Sequence, residues 1–192
     1  MNILASVTLL AALQAPETLV QSVEAAKRGS HELRPAHHEC PGGTPHIQGI
    51  ACGSTTSDAL TSTGSCVIAD DSYIDFYSFN GVAGQQVTIT MTSTAFDTFL
   101  FLIGIDASTI ATNDDISPGN TNSGIVFTLS EAGTYVIGAN SFPPNQFGGY
   151  TLTLTCSGGV APPPDIPTLS LSAMLFLSLG LAAGALAFLR RR

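Results

Sequence analysis

The chain has 192 residues, 44% of them hydrophobic and only 10% charged, and a formal net charge of −8. All six basic residues lie towards the ends, at Lys27, Arg28, Arg34, Arg190, Arg191 and Arg192. Nothing between Pro35 and Leu189 can therefore displace counterions from a phosphate backbone, which excludes nucleic acid as a partner, and the Val-, Ile-, Leu-, Phe- and Thr-rich middle excludes intrinsic disorder.

In chain order, residues 1–26 read as a weak or truncated export signal. Ile3 to Ala15 is apolar enough for a signal h-region, but no Lys or Arg precedes it, and Pro16 is a poor residue to follow a cut after Ala15. A cut after Ala25 or Ala26 is the other option. The competing reading is a short amphipathic helix, because Leu19, Val23 and Ala26 recur at helical spacing. Residues 27–58 hold every His, together with Cys40, Cys52 and several Gly and Pro, without periodicity, and read as an irregular leader.

Residues 59–157 alternate apolar and polar positions in short runs punctuated by Gly, Asn, Asp and Pro. The runs Tyr73–Phe79, Gln86–Ser93, Phe99–Gly104, Thr109–Thr112, Gly124–Leu129, Thr134–Ala139 and Tyr150–Cys156 are the predicted strands. Val87, Ile89 and Met91 share one face of the second, and Tyr150, Leu152, Leu154 and Cys156 share one face of the last. Phe99 to Gly104 is apolar almost throughout, as a strand covered on both faces would be. The spacing argues for an all-β, two-sheet antiparallel sandwich.

Residues 158–168 form a Pro-rich, semi-rigid spacer. Residues 169–189 carry no charge and, at about 1.5 Å per residue, reach roughly 30 Å as a transmembrane helix. Residues 190–192, all Arg, are the cytoplasmic end, which places the rest of the chain outside the inner membrane.

The four cysteines, Cys40, Cys52, Cys66 and Cys156, fit disulfides in an oxidising compartment and allow three connectivities. Because Cys66 and Cys156 bracket the predicted sandwich, pairing these two, and Cys40 with Cys52, is the expectation.

The sharpest chemical constellation is acidic. With a turn around Asp106 and Ala107, the strands at 99–104 and 109–112 make a hairpin that sets Asp97 opposite Asp115. Asn113 and Asp114 lie beside them, and Asn120 and Asn122 follow in the next loop. No Lys or Arg in this stretch can pair with these carboxylates. Oxygen ligands on a flexible loop are what Ca²⁺ takes, so Asp97, Asn113, Asp114, Asp115, Asn120 and Asn122 are a candidate calcium set; the alternative is that they only make turns. His37, His38, Cys40 and His46 have metal-ligating residue types but no zinc spacing. Catalysis finds no support: there is no G-x-S-x-G elbow, every His lies outside the predicted sandwich, and a glycosidase-like use of Asp97 with Asp115 lacks a Trp platform.

Two resemblances follow from these residues. Asp75-Phe76-Tyr77-Ser78-Phe79, Ala83-Gly84-Gln85, Phe96-Asp97-Thr98-Phe99-Leu100, Asn113-Asp114-Asp115, Ala132-Gly133-Thr134-Tyr135 and Gly148-Gly149-Tyr150-Thr151-Leu152 resemble, in order and spacing, the bacterial pre-peptidase C-terminal domain. That resemblance implies a jelly-roll-like sandwich, non-catalytic itself, associated with secretion, with substrate or matrix binding and sometimes with Ca²⁺. Ile166-Pro167-Thr168-Leu169, the apolar run and Arg190 to Arg192 resemble an IPTL-type sorting signal, although Leu171, Ser172 and Ala173 stand where the family usually continues with Trp-Gly. It implies handling by an exosortase-type membrane enzyme. The expectation is thus an exported, non-enzymatic protein of the surface or matrix of a Gram-negative bacterium, with polysaccharide as partner or, alternatively, a secreted protease that it binds or regulates.

Overall fold

In a computed structural model of the chain, the described residues are 16–27 and 39–159. His37, His38, the transmembrane run, the IPTL motif and the terminal arginines lie outside them. Among the described residues no helix is long and apolar enough to cross a membrane.

Among the described residues, one α-helix, α1 (Pro16–Lys27), precedes the strands β1 (Ile47–Gly49), β2 (Ser54–Leu60), β3 (Cys66–Val67), β4 (Tyr73–Gly81), β5 (Gln85–Thr92), β6 (Thr98–Ile103), β7 (Thr109–Asn113), β8 (Ser123–Thr128), β9 (Gly133–Ser141) and β10 (Gly148–Gly158). One sheet runs β1-β4-β9-β6-β7, with β3 also on β4, and the other runs β2-β10-β5-β8. The pairs β2 with β10, β4 with β9, β5 with β8 and β6 with β7 are nested and antiparallel. The chain is in effect one long hairpin rolled into a sandwich, which is the jelly-roll topology. The parallel pair β1–β4 departs from a purely antiparallel arrangement.

All seven strands expected from periodicity are present, with ends shifted by a few residues. Three more were not expected. β1 and most of β2 fall inside the stretch read as an irregular leader, so the sandwich begins at Ile47 and not at Ala59. Ser54–Leu60 (STTSDAL) lacks an apolar alternation because it is an edge strand, and its Leu60 is fully buried at the end of the run.

Val87, Ile89 and Met91 of β5, with Leu152 and Leu154 of β10 beside them in the same sheet, face Leu100 and Leu102 of β6 and Ile137 of β9 in the core between the sheets. β6 is buried on both faces, as its composition predicted. Phe99, Phe101 and Ile103 point away from that core and meet Ile74, Phe76, Val136 and the apolar stripe of α1, where Leu19, Val20 and Val23 are buried. Residues 16–26 of the segment read as an export signal, continued by Lys27, thus adopt the amphipathic helix that was the competing reading. Val20 rather than Ala26 completes its buried stripe. The Thr109 hydroxyl donates to Ser22 O at 3.1 Å, and Ala69 N–H donates to Glu24 Oε1 at 3.1 Å.

The disulfides join Cys40 to Cys66 and Cys52 to Cys156, which corrects the expected pairing. Strand register explains the outcome. Ser54 opposes Leu154 in the β2–β10 ladder, so Cys52 is carried to Cys156 just beyond it. The antiparallel bridge of Glu39 with Val67 sets Cys40 against Cys66. Sequence spacing contains neither pairing, because β2 and β3 were not legible as strands.

Candidate functional site

Asp97 ends the loop before β6, and Asp114 and Asp115 begin the loop after β7. One carboxylate oxygen from each lies within 4.8 Å of the others, so the structure brings together the three acids that the hairpin argument placed as neighbours. The observed register pairs Leu100 with Asn113, one residue from the assumed pairing, with an irregularity between Leu102 and Ile103. The scaffold beneath is specific. Phe142 N–H donates to Asp97 O at 2.8 Å, Ser123 Oγ donates to Asp114 O at 2.6 Å, and the Thr98 and Ser123 hydroxyls are 2.7 Å apart.

The asparagines hold the loop. Gly124 N–H donates to Asn113 Oδ1 at 2.8 Å, Ser93 N–H to Asn122 Oδ1 at 3.0 Å, and Asn122 donates to Asn120 Oδ1 from Nδ2 at 2.9 Å. Their side-chain oxygens are therefore engaged, and Asp97, Asp114 and Asp115 are left as the carboxylate set. Asp97 Oδ1 and Asp114 Oδ1 are buried with no hydrogen-bond partner among protein groups. Burial, then the Asp97 and Asp115 charges, push the Asp114 carboxyl up to about 6, and burial with the Asp115 charge raises Asp97. Oxyanions that have lost water and gained no donor suit a hard divalent cation, and backbone carbonyls and water complete such a shell in general. The donor set fits Ca²⁺.

Lys27, the single lysine, closes α1 and is 7% exposed. Its Nζ is 2.7 Å from Asp70 Oδ2 and donates to Ser72 Oγ at 2.9 Å, Asn140 Oδ1 at 2.8 Å and Ser141 O at 3.0 Å. The Phe99 and Phe142 rings lie 5.5 and 6.0 Å away. Burial pulls its pKa down while Asp70 opposes the shift. Lys27 also exerts the smallest of the influences on Asp114, so the acidic loops do receive a distant counter-charge, contrary to the expectation of none.

A second polar cluster, missed from sequence, bridges the two sheets. The Tyr77 hydroxyl is 2.8 Å from Asp58 Oδ2 and 2.7 Å from the Tyr150 hydroxyl, and the latter is 2.8 Å from Asp75 Oδ2. Gln48 Nε2 donates to Asp58 Oδ2 at 2.9 Å and Ala59 N–H donates to Asp58 Oδ1 at 2.8 Å. Burial disfavours the Asp58 charge, but the bonds from Gln48, Tyr77 and Ala59 outweigh it and hold that carboxyl below the usual range. Burial raises Asp75, Tyr77 and Tyr150. A pocket of about 220 Å³, lined in part by His46, Gln48, Asp58, Ser65 and Asp75, opens beside the cluster. The one available sequence signal was that Asp75 and Tyr77 share a strand face; their partners lie far along the chain. Cys40, being disulfide-bonded, offers no thiolate, which removes it from the His37, His38, Cys40 and His46 metal set.

This is a disulfide-tied jelly roll with an oxygen-rich acidic loop site. Residues 73–141, from the first residue of β4 to the last of β9, match the family model of the bacterial pre-peptidase C-terminal domain. No curated protein matches the chain. Among solved structures it is similar to the pre-peptidase C-terminal domain of a collagenase from Bacillus anthracis, at 15% identity and a TM-score of 0.46 over 65% of this chain and 100% of that one. It is also similar to PliG, a periplasmic inhibitor of g-type lysozyme, from Aeromonas hydrophila (13% identity, TM-score 0.43, 59% of this chain and 100% of that one). The Salmonella Typhimurium PliG matches at 15% identity and a TM-score of 0.38, over 57% of this chain and 98% of that one.

Proposed function

We propose that the chain is an exported, non-catalytic binding module of the bacterial envelope, sorted through its C-terminal signal and ordered at its acidic loops by Ca²⁺. The observation that carries the reading is the family match over residues 73–141, which spans the core of the roll and includes Asp97, Asp114 and Asp115. Two disulfides and no free cysteine support a location outside the reducing cytoplasm. Ile166-Pro167-Thr168-Leu169, the uncharged run and Arg190 to Arg192 support membrane insertion followed by handling by an exosortase-type enzyme. The partner is an extracellular polysaccharide, recognised by the uncharged, Thr-rich outer face of the β2-β10-β5-β8 sheet.

Ca²⁺ would bridge Asp97 to Asp114 and Asp115, tying the entry of β6 to the exit of β7 and relieving the repulsion among the three acids. A calcium titration followed by melting temperature tests this, and no shift at millimolar Ca²⁺ ends it. The mass of the protein isolated from a Gram-negative envelope tests the sorting, because an intact C-terminus would leave a plain anchor. A pull-down from envelope extract tests the partner; recovery of a protease rather than polysaccharide would replace the adhesive role with a regulatory one.

A further inference from the structure

The four oxygens of the inter-sheet cluster make three consecutive contacts of 2.8, 2.7 and 2.8 Å: Asp58 to Tyr77, Tyr77 to Tyr150, and Tyr150 to Asp75. Each contact this short needs a proton between its oxygens, because facing lone pairs repel. Two tyrosines supply two protons. The Gln48 and Ala59 N–H groups already point at Asp58 and supply none to the chain. Tyr77 and Tyr150 are 1% and 3% exposed, so water does not substitute at either hydroxyl.

We propose that the folded protein holds a third proton on this cluster, on the Asp75 carboxyl, making Asp75, Tyr150, Tyr77 and Asp58 a pH-sensitive clasp between the two sheets. The carboxyl of Asp75 donates to Tyr150, Tyr150 to Tyr77, and Tyr77 to the carboxylate of Asp58. Placement on Asp75 rather than Asp58 follows from the donors. Asp58 is held as an anion by the N–H donors of Gln48 and Ala59, whereas Asp75 is the more buried and faces the Asp58 charge, and the Ser65 hydroxyl is a weaker counterweight to that burial. His46 lines the same pocket as Asp58 and Asp75, and the pocket gives the Asp75 proton its route to solvent. Asp75 and Tyr77 belong to β4, Asp58 to β2 and Tyr150 to β10, so the clasp joins the sheets where the roll closes. When the proton leaves, two protons serve three contacts and one contact must open. Because the folded state binds this proton more tightly than the unfolded chain does, its contribution to stability is complete at low pH. That contribution falls away as pH rises through the Asp75 value.

The test is a pH titration of the full chain labelled with ¹³Cγ-aspartate, with the Asp75 resonance assigned by its absence in Asp75→Asn. The Asp75 carboxyl should stay protonated well above the range in which the exposed aspartates titrate, and Tyr150→Phe should shift that titration. The melting temperature of Asp75→Asn, compared with the wild type between about pH 4 and 8, should lose part of the decline with rising pH; contributions from the acidic loops cancel in that difference. Titration of Asp75 together with the exposed aspartates would overturn the proposal whether or not the Asn variant folds. So would an unchanged pH profile in a folded Asp75→Asn.

Discussion

Replacing Lys27 tests whether α1 is an integral part of the domain. Lys27→Met keeps an unbranched stem against Phe99 and Phe142 but removes the ammonium from Asp70, Ser72, Asn140 and Ser141. Removing one member of a buried ion pair typically costs about 3–5 kcal/mol, because the other charge stays behind without its partner. Asp70 is 26% exposed, so water partly repairs its loss and the cost moves to the lower end, about 3 kcal/mol. Asn140 softens it further: its Nδ2 still donates to Tyr73 O at 2.7 Å and keeps the side chain placed. Lys27→Ala should cost about 1 kcal/mol more, through the lost stem and its ring contacts. Urea unfolding of both variants at unchanged m reads these values as shifts in midpoint. Hydrogen exchange should show the α1 amides losing protection before those of β6. A Lys27→Met midpoint within about 0.5 kcal/mol of the wild type would refute the argument that this lysine pins the helix.

Three further outcomes are expected. With calcium chelated, stability should fall as pH rises from about 4 towards 6, because the folded Asp114 carboxyl, pushed up to about 6, holds its proton longer than the unfolded one; Asp114→Asn should flatten that slope in a melting series. Removing the Cys52–Cys156 bridge by a double Ser substitution opens a loop with a sequence separation of 104 and should lower stability by up to about 4–5 kcal/mol, read by chemical denaturation under non-reducing conditions. Phe101→Ala empties a fully buried site between β6 and α1 and should cost about 3–5 kcal/mol in the same assay, with α1 protection falling in parallel.

The parts of the fold legible in sequence were those whose burial imposes a local period. β5 shows its alternation, with Val87, Ile89 and Met91 inward, and β6 shows continuous apolarity because α1 and the second sheet cover opposite faces. β1 and β2 are edge-placed, with a registry set by partners distant in sequence, and β3 is only two residues long. The cysteine pairing was illegible for the same reason. The three aspartates of the loop site were legible because a hairpin is a local object, and the numbers of opposed residues have a nearly fixed sum. The roles of Asn113, Asn120 and Asn122 were not, since an amide oxygen that organises a loop and one that binds a cation look alike in sequence. Lys27 and the tyrosine clasp escaped because their partners arrive from strands far along the chain.

The bridge between the first and last strands of the smaller sheet has a mechanical consequence. Tension applied between a point before Cys52 and the chain after Gly158 passes through the Cys52–Cys156 sulfurs and leaves the intervening strands unloaded. β5 to β9, with the acidic loops they carry, are covalently bypassed. A module stretched between a tether and a surface would then keep its site geometry under loads that peel hydrogen-bonded strands apart, and would lose that resistance on reduction of one bond.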